Sequence, residues 1–484
     1  VSLPNLNTIS NCGVDRWQQG ELVEVLISDL ADTGEGVGKL DNRVVFVPDT
    51  VTGDRALVRL VRVKPEYAHG KLHNLLELSP HRIRPSCIVA DKCGGCQWQH
   101  IDYQHQLEAK HNQVIQALGR IGKFSDPTVA PVLEALSPLT YRNKATYPLG
   151  ISATGHVQAG YYRKGTHQIV NLNQCPVQDE RLNPLLAEVK EDIQRRGWQV
   201  YNEQQIQQPQ VKKKVLNKKA SQKTTAVGKV RHLSLRIGRR TGEMLLTLVV
   251  TDWNLPEVKE QALEWLNRYP QLVGVSLNYN PNNTNVIFGE ETRTIAGLSY
   301  LTEKFAALQF QLRPDTFFQV YTEQAEALLE VIIEKLELQG NEVLLDAYCG
   351  IGTFTLPLAK HVKQAIGLEI HAASIEQARL NAEINGITNA NFQVGAVEKL
   401  LPQLDIQPDI VLIDPPRKGC DRAVLNTLIE MQPRHIVYVS CKPATLARDL
   451  NILCTQGGYQ LTYVQPADFF PQTSHVESAA FLKL

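Results

Sequence analysis

Cys441 stands in Ser440-Cys441-Lys442-Pro443, directly after the apolar run HIVYV. A thiolate at such a strand end can act as a covalent catalyst, splitting one difficult step into easier ones. Uracil C5 is a substrate atom that needs such help, because it is a poor nucleophile. Addition of sulfur to C6 turns the base into an enolate whose C5 can attack an electrophilic methyl. The thiolate must persist near neutral pH, so a lowered pKa is expected, with Lys442 or Arg417 as the contributing cation. A lone cysteine at a strand end is more often a small buried hydrophobe. Its neighbour decides otherwise: Asp414-Pro415-Pro416-Arg417 closes the preceding apolar run, DIVLI. The two prolines fix the backbone and aim the Asp414 carboxylate into the crevice at the carboxyl edge of an α/β sheet. Amine methylases follow a similar turn with an aromatic ring; Arg417 in that place counts against amine chemistry. A C5 proton must also leave before sulfur is eliminated, and Glu477 in His475-Val476-Glu477 offers a carboxylate base, although its local sequence reads as surface.

A second constellation implies a nucleotide-like cofactor. Asp346-Ala-Tyr-Cys-Gly350-Ile-Gly352-Thr follows an apolar strand and precedes a helix, and its glycines let the backbone approach a ligand closely. Glu369 ends the next strand, 19 residues after Gly350, where a carboxylate can accept hydrogen bonds from ribose hydroxyls. A dinucleotide site would carry a third glycine three residues beyond Gly352. Thr355 stands there, which favours S-adenosylmethionine, a cofactor without phosphates to cradle.

Cysteines supply the third constellation. Cys87-x5-Cys93-x2-Cys96 places three thiols within ten residues, and Cys175-Pro176 is the natural fourth. Four cysteines suit either tetrahedral zinc or a [4Fe–4S] cluster. Zinc ribbons pair two close knuckles, whereas this spacing is three plus one and leans to iron–sulfur. The x5 spacing differs from the Cys-x3-Cys-x2-Cys of radical S-adenosylmethionine enzymes, so a structural or RNA-positioning role is expected. No role is assigned to Cys12, Cys349, Cys420 or Cys454.

These groups need a scaffold. With 484 residues, several domains are expected. Residues 18–80 alternate apolar and polar positions in short runs, the pattern of a small OB-like β-barrel. Residues 81–305 carry recurring short strands, a central β-rich domain, with a helix near 102–122 that could pack on the next domain. Seven lysines and one acidic residue in 203–230 read as a disordered insertion. Residues 306–484 alternate strands with helices, the pattern of a parallel, Rossmann-like α/β sheet covered on both faces. Lys+Arg and Asp+Glu both total 50, so overall charge does not select a partner, and local patches must. Candidate phosphate contacts are Arg55, Arg59, Arg62, Lys64, His69 and Lys71 on the barrel, with Arg236, Arg239 and Arg240 beyond it. Tyr161-Tyr162-Arg163-Lys164 offers rings beside charge. No signal peptide or apolar span is visible and the cysteines do not form a disulfide framework, so a cytoplasmic, membrane-free monomer is expected.

The motifs CGGCQWQH at 93–100, DTFFQV at 315–320, DAYCGIGTFTLPLA at 346–359, DPPRKG at 414–419, SCKPATLARDL at 440–450 and HVES at 475–478 occur in one order. In this the chain resembles the bacterial RNA (uracil-5-)-methyltransferases, specifically the iron–sulfur branch that acts on 23S ribosomal RNA. Relatives of the same fold modify transfer RNA. The resemblance implies a TRAM barrel, a central β domain and a methyltransferase domain that acts on structured RNA. It implies Cys441 as nucleophile and Glu477 as base. Gln319, Tyr348, Glu369 and Asp414 match cofactor-contacting positions, and Cys87, Cys93, Cys96 and Cys175 match the cluster ligands. Gln319 has no signal of its own, since FFQV reads as a helix start with two core aromatics.

Overall fold

The computed structural model describes residues 17–201, 228–282 and 284–484. The lysine-rich segment 203–230, apart from its last residues, and Cys12 lie outside them. The described chain forms two compact units, one of residues up to Arg84 with His100–Asp102, the other of all remaining residues.

The first unit is a closed five-stranded barrel in the order β1-β2-β3-β5-β4. Its strands are β1 Leu22–Leu30, β2 Gly36–Leu40, β3 Arg43–Val47, β4 Arg55–Val63 and β5 Tyr67–Glu77. Period-two alternation sends Val25, Ile27, Val45, Val47, Val58 and Leu60 into one core. The chain leaving the barrel is tied back by Arg82, which pairs with the fully buried Asp54. Asp54 also accepts from Val51 N at 2.7 Å and Ser79 N at 2.9 Å, so the buried carboxylate is fully engaged.

In the second unit a seven-stranded sheet runs β12-β11-β10-β9-β6-β7-β8. Its members are β6 Lys144–Ile151, β7 Val157–Tyr162, β8 Ile169–Asn171, β9 Val230–Ile237, β10 Met244–Val250, β11 Leu272–Tyr279 and β12 Glu291–Gly297. The run MLLTLVV of β10 is buried at every position, as a strand at the middle of a sheet requires. A short hairpin follows, β13 Leu301–Phe305 with β14 Leu308–Leu312. Its Phe305 and Phe310 pack with Phe318 into the core of the last sheet, ring edge to ring face for Phe305.

The last sheet positions the chemistry. It comprises β15 Val343–Ala347, β16 Gln364–Glu369, β17 Ala390–Val394, β18 Ile410–Ile413, β19 His435–Ser440, β20 Gln460–Ala467 and β21 Glu477–Lys483. The order is β17-β16-β15-β18-β19-β21-β20, parallel except for β21, which is antiparallel to both neighbours. Alternate residues enter two cores. Leu344, Leu412 and Val437 join one face, and Leu345, Val411, Ile413, Ile436 and Tyr438 join the other. Each such side chain contributes roughly 1.5–3 kcal/mol on burial, which is why these strands are continuous apolar runs. Strand order reverses between β15 and β18, and the crevice at the carboxyl ends of an open α/β sheet opens at such a switch point. Helix α1, Tyr103–Arg120, lies early in the chain yet puts Val114 and Leu118 into the second of these cores.

Candidate active site

The carboxyl rim of the last sheet collects the predicted residues through register alone. Ala347 pairs with Leu368 and with Ile413, and Ser440 pairs with Ser478. The next residues are Tyr348, Glu369, Asp414 and Cys441, and Glu477 immediately precedes Ser478 on the antiparallel β21. They form a row across five adjacent strands.

The glycine turn after β15 is built as its residue types demand. Gly350 and Gly352 take φ of +55° and +83°, and a Cβ on Gly352 would sit 3.0 Å from Leu356 Cγ. Tyr348 also takes a positive φ, +81°, a conformation strained for a bulky residue and held by Tyr348 N and Cys349 N donating to Leu368 O. Glu369 accepts from Gly350 N at 3.2 Å and from His371 N at 2.9 Å, so its carboxylate is fixed at the mouth of the turn. Beneath it, burial pushes the Asp346 carboxyl up to about 7, against the hydrogen bond that Thr355 donates to it.

Gln319 lies in DTFFQV, between β14 and the helix Thr322–Leu336. Its carbonyl accepts from Asn143 Nδ2 at 2.8 Å, and Asn143 N donates to Val320 O at 2.9 Å. The segment is irregular backbone rather than a helix start, since the following helix runs Thr322–Leu336. Only Phe318 is a core aromatic; Phe317 is 64% exposed. The signal that distinguishes the two rings is the hairpin before them, whose Phe305 and Phe310 enclose Phe318 alone.

Cys441 is half-buried between β19 and the helix Pro443–Gly457, and Arg417 is the cation that acts on its thiol. The expected lowering of its pKa is not found. Burial raises the thiol above its ordinary 9.0, Glu477 raises it further, Arg417 lowers it and Asp414 raises it. The reason is first the burial of the thiol itself and then the company of two buried carboxyl groups. Glu477 is only 5% exposed. Burial, and then Asp414, raise it well above the usual carboxylate range against Arg417. Asp414 is raised by burial and by Asp346. Lys442, the other cation considered, caps the following helix through its backbone. Alkylation of Cys441 by iodoacetamide in the ligand-free protein is therefore expected to rise about tenfold per pH unit up to about pH 9. A plateau below about pH 8, read by mass spectrometry of the modified peptide, would contradict this charge balance.

Cys87, Cys93, Cys96 and Cys175 line one cavity of about 50 Å³, with Gln99 and Tyr161 in its wall. Gln99 Oε1 accepts from Cys87 N at 3.0 Å, and Cys93 Sγ accepts from Gly95 N at 3.4 Å. Burial pushes the Cys96 thiol up to about 12, and the other three cysteines push the same way. All described cysteines are free thiols. The four sulfurs surround a space rather than a point. Among the described residues no three His, Cys, Asp or Glu side chains gather closely enough to hold a single metal ion.

Several candidate RNA contacts prove to be buried or engaged in ion pairs. Arg236 is 3% exposed and donates to Arg313 O at 2.6 Å and Thr316 O at 2.5 Å, bracing DTFFQV. Arg239 pairs with Asp179 and Glu323, and Arg240 with Glu326. Tyr161 is enclosed between Tyr147 and the thiol cavity, whereas Tyr162 is partly exposed. On the barrel Arg55 pairs with Glu24 and Glu77, while Arg59, Arg62, Lys64 and Lys71 are exposed.

Fold and rim together define an α/β enzyme with a glycine turn of the nucleotide-binding type and a cysteine at the same sheet edge. The tRNA (Uracil-5-)-methyltransferase family matches residues 238–484, and the TRAM domain matches residues 16–73. An uncharacterized RNA methyltransferase of Nostoc sp. (strain PCC 7120) is 67% identical over 468 residues, 97% of either chain. One from Bacillus cereus (strain ATCC 10987) is 40% identical over 468 residues, covering 96% of this chain and 97% of its own. Among solved structures, Pyrococcus abyssi tRNA (uracil-54, C5)-methyltransferase in complex with S-adenosyl-L-homocysteine gives a TM-score of 0.73 at 28% identity. It covers 95% of this chain and 99% of that one. The chain belongs to the tRNA (uracil-5-)-methyltransferase family: it is an RNA methyltransferase with an N-terminal TRAM domain. No described helix is long and apolar enough to cross a membrane.

Proposed function

We propose that this enzyme methylates C5 of a uridine in folded 23S ribosomal RNA through a covalent Cys441–C6 adduct. The observation that carries the reading is the meeting of Cys441, Arg417, Asp414 and Glu477 at one rim of a cofactor-type sheet. Bound S-adenosylmethionine supplies an electrophilic methyl; Glu369, Tyr348, Gln319 and Asp414 are the residues that would hold it. The fixed carboxylate of Glu369 and the open glycine turn fit a ribose and its attached chain.

The chain's own groups then divide the work. A uridine flipped from its helix, at about a few kcal/mol of unstacking, meets Cys441 as its thiol gives up a proton to solvent. The sulfur bonds to C6, the C5–C6 π pair shifts to C4–C5, and the C4 carbonyl π pair moves onto its exocyclic oxygen O4. Arg417, beside the sulfur, stabilises both the thiolate and the enolate charge. After C5 has taken the methyl, Glu477 removes the remaining C5 proton, and Cys441 leaves C6 as thiolate. The exposed ring of Phe317, two residues from Gln319, offers a stacking surface for the extruded base. In this reading 18–80 is the RNA-binding barrel, 81–305 the central domain and 306–484 the methyltransferase domain.

The four-cysteine cavity fits a [4Fe–4S] cluster better than a lone ion. Its thiols enclose a volume, and as thiolates they repel one another unless a cationic group lies between them. Protein purified without oxygen is expected to carry about four iron and four sulfide per chain, lost in Cys96→Ser. Stoichiometric zinc, or no metal, would contradict this assignment.

The substrate is read from the cysteine motif, shared with the ribosomal branch. Transfer RNA is the second reading, favoured by the likeness to the Pyrococcus abyssi enzyme. Incubation with labelled S-adenosylmethionine and either a 23S transcript or unmodified transfer RNA, followed by nucleoside chromatography, tests both. Label in 5-methyluridine from the ribosomal transcript is expected. Label in transfer RNA alone would select the second reading, and label in any other nucleoside would overturn both.

A further inference from the structure

Helix α1 buries polar groups where a helix facing a protein core ordinarily buries apolar ones. Val114 and Leu118 are apolar, but one and two turns earlier Lys110 and Gln106 are both 0% exposed. Such burial is tolerated only when every polar atom finds a partner. The partners converge on one short stretch, Asp468 to Gln472, in the loop between β20 and β21.

Gln106 acts as a staple. Its Oε1 accepts from Gln472 N at 3.0 Å, and its Nε2 donates to Gln472 Oε1 at 3.2 Å and to Trp98 O at 3.1 Å. Gln97 N and Trp98 N in turn donate to Gln472 O at 3.1 and 3.0 Å. A turn further along α1, Lys110 Nζ donates to Asp468 Oδ1 at 2.6 Å and Phe470 O at 3.1 Å. Tyr103 OH donates to Asp468 Oδ2 at 3.0 Å. Gln472 thus has its N–H, its carbonyl and its side chain all engaged, and it sits at φ +70°, a strained conformation for a non-glycine residue. Strain of this kind persists only where surrounding contacts over-determine it.

The loop has one further destination. Thr473 Oγ1 donates to Phe470 O at 2.8 Å and accepts from His475 N at 3.3 Å; His475 meets Arg417 at 3.4 Å; Glu477 opens β21 two residues later. We propose that Gln106, seconded by Tyr103, is a positioning residue that sets the loop carrying Glu477 and so controls removal of the C5 proton. The staple also includes Gln97 and Trp98, next to Cys96, so it joins the thiol cavity to the base. The proposal rests on the reading of Cys441 as nucleophile and Glu477 as base.

The two halves of the reaction can be measured apart. RNA made with 5-fluorouridine has no C5 proton, so the reaction halts at the methylated adduct; ordinary RNA must pass the Glu477 step. With S-adenosylmethionine and a 23S transcript, Gln106→Leu is expected to form the fluorinated adduct within about twofold of the wild-type rate. On ordinary RNA it should release product about tenfold more slowly and accumulate a denaturation-resistant methylated adduct, absent from wild type. Tyr103→Phe, which removes one hydroxyl and keeps the ring, should shift both readouts the same way by a smaller factor. It carries the test should Gln106→Leu not fold. Equal slowing on both RNAs without accumulation of adduct would show a merely structural role and overturn the proposal. Failure of wild type to form the fluorinated adduct on ribosomal or transfer RNA would instead overturn the underlying reading, and this one with it.

Discussion

Cys441→Ala is expected to lower methyl transfer to RNA by a factor on the order of 10⁴ or more, while leaving S-adenosylmethionine binding within about twofold of wild type. The size follows from the substrate rather than from the protein: without sulfur at C6, C5 carries too little electron density to displace a methyl. Its specificity follows from placement. Cys441 is half-buried beside Arg417 and Glu477, and the glycine turn around Tyr348 to Gly352 lies two strands away. Equilibrium binding of the cofactor and single-turnover methylation, measured on one preparation, check both halves. Substantial residual methylation, or loss of cofactor binding in step with activity, would oppose the assignment.

Glu477→Gln should behave differently from Cys441→Ala. Turnover is expected to fall by about 10² to 10⁴, the range for removing a general base, yet the enzyme should still form and methylate its adduct. Ordinary uridine RNA would then remain attached to Cys441, and denaturing gels would show a protein–RNA species that wild type resolves. Glutamine is close to isosteric with glutamate, and burial already works against the charge that the substitution removes. The substitution therefore removes the base with little disturbance of packing. Rapid product release from Glu477→Gln would reassign the proton step to another group.

Residues acting through their own backbone were legible in the sequence, and those acting through distant partners were not. The strands after residue 306 are short apolar runs because a central strand is covered on both faces, and that pattern is local. The Gly350 and Gly352 turn, the Asp414-Pro-Pro turn and the strand-end cysteine are likewise local, and pairing register brings them to one rim. Arg236 is the opposite case. As part of a charge cluster it reads as an exposed phosphate contact, yet it is committed to Arg313 O and Thr316 O, carbonyls far along the chain. Tyr161 was misread for the same reason, since its ring closes a cavity whose fourth cysteine comes from another segment. The direction of the Cys441 shift depends on the burial of the thiol and then on Glu477, neither of which neighbouring residues in sequence report. Helix α1 carries Gln106 and Lys110 among apolar residues, and only the loop more than 350 positions later explains them.

The covalent step itself is open to a direct measurement. Wild-type enzyme, S-adenosylmethionine and 5-fluorouridine-substituted RNA, denatured and digested with nuclease and trypsin, should yield one modified peptide. It should contain Cys441 joined to a methylated fluorouracil, and the same peptide should be unmodified when the cofactor analogue S-adenosylhomocysteine replaces the methyl donor. A pyrimidine attached to any other cysteine, or ordinary RNA methylated at C5 while the fluorinated RNA leaves no adduct, would contradict the role given to that sulfur.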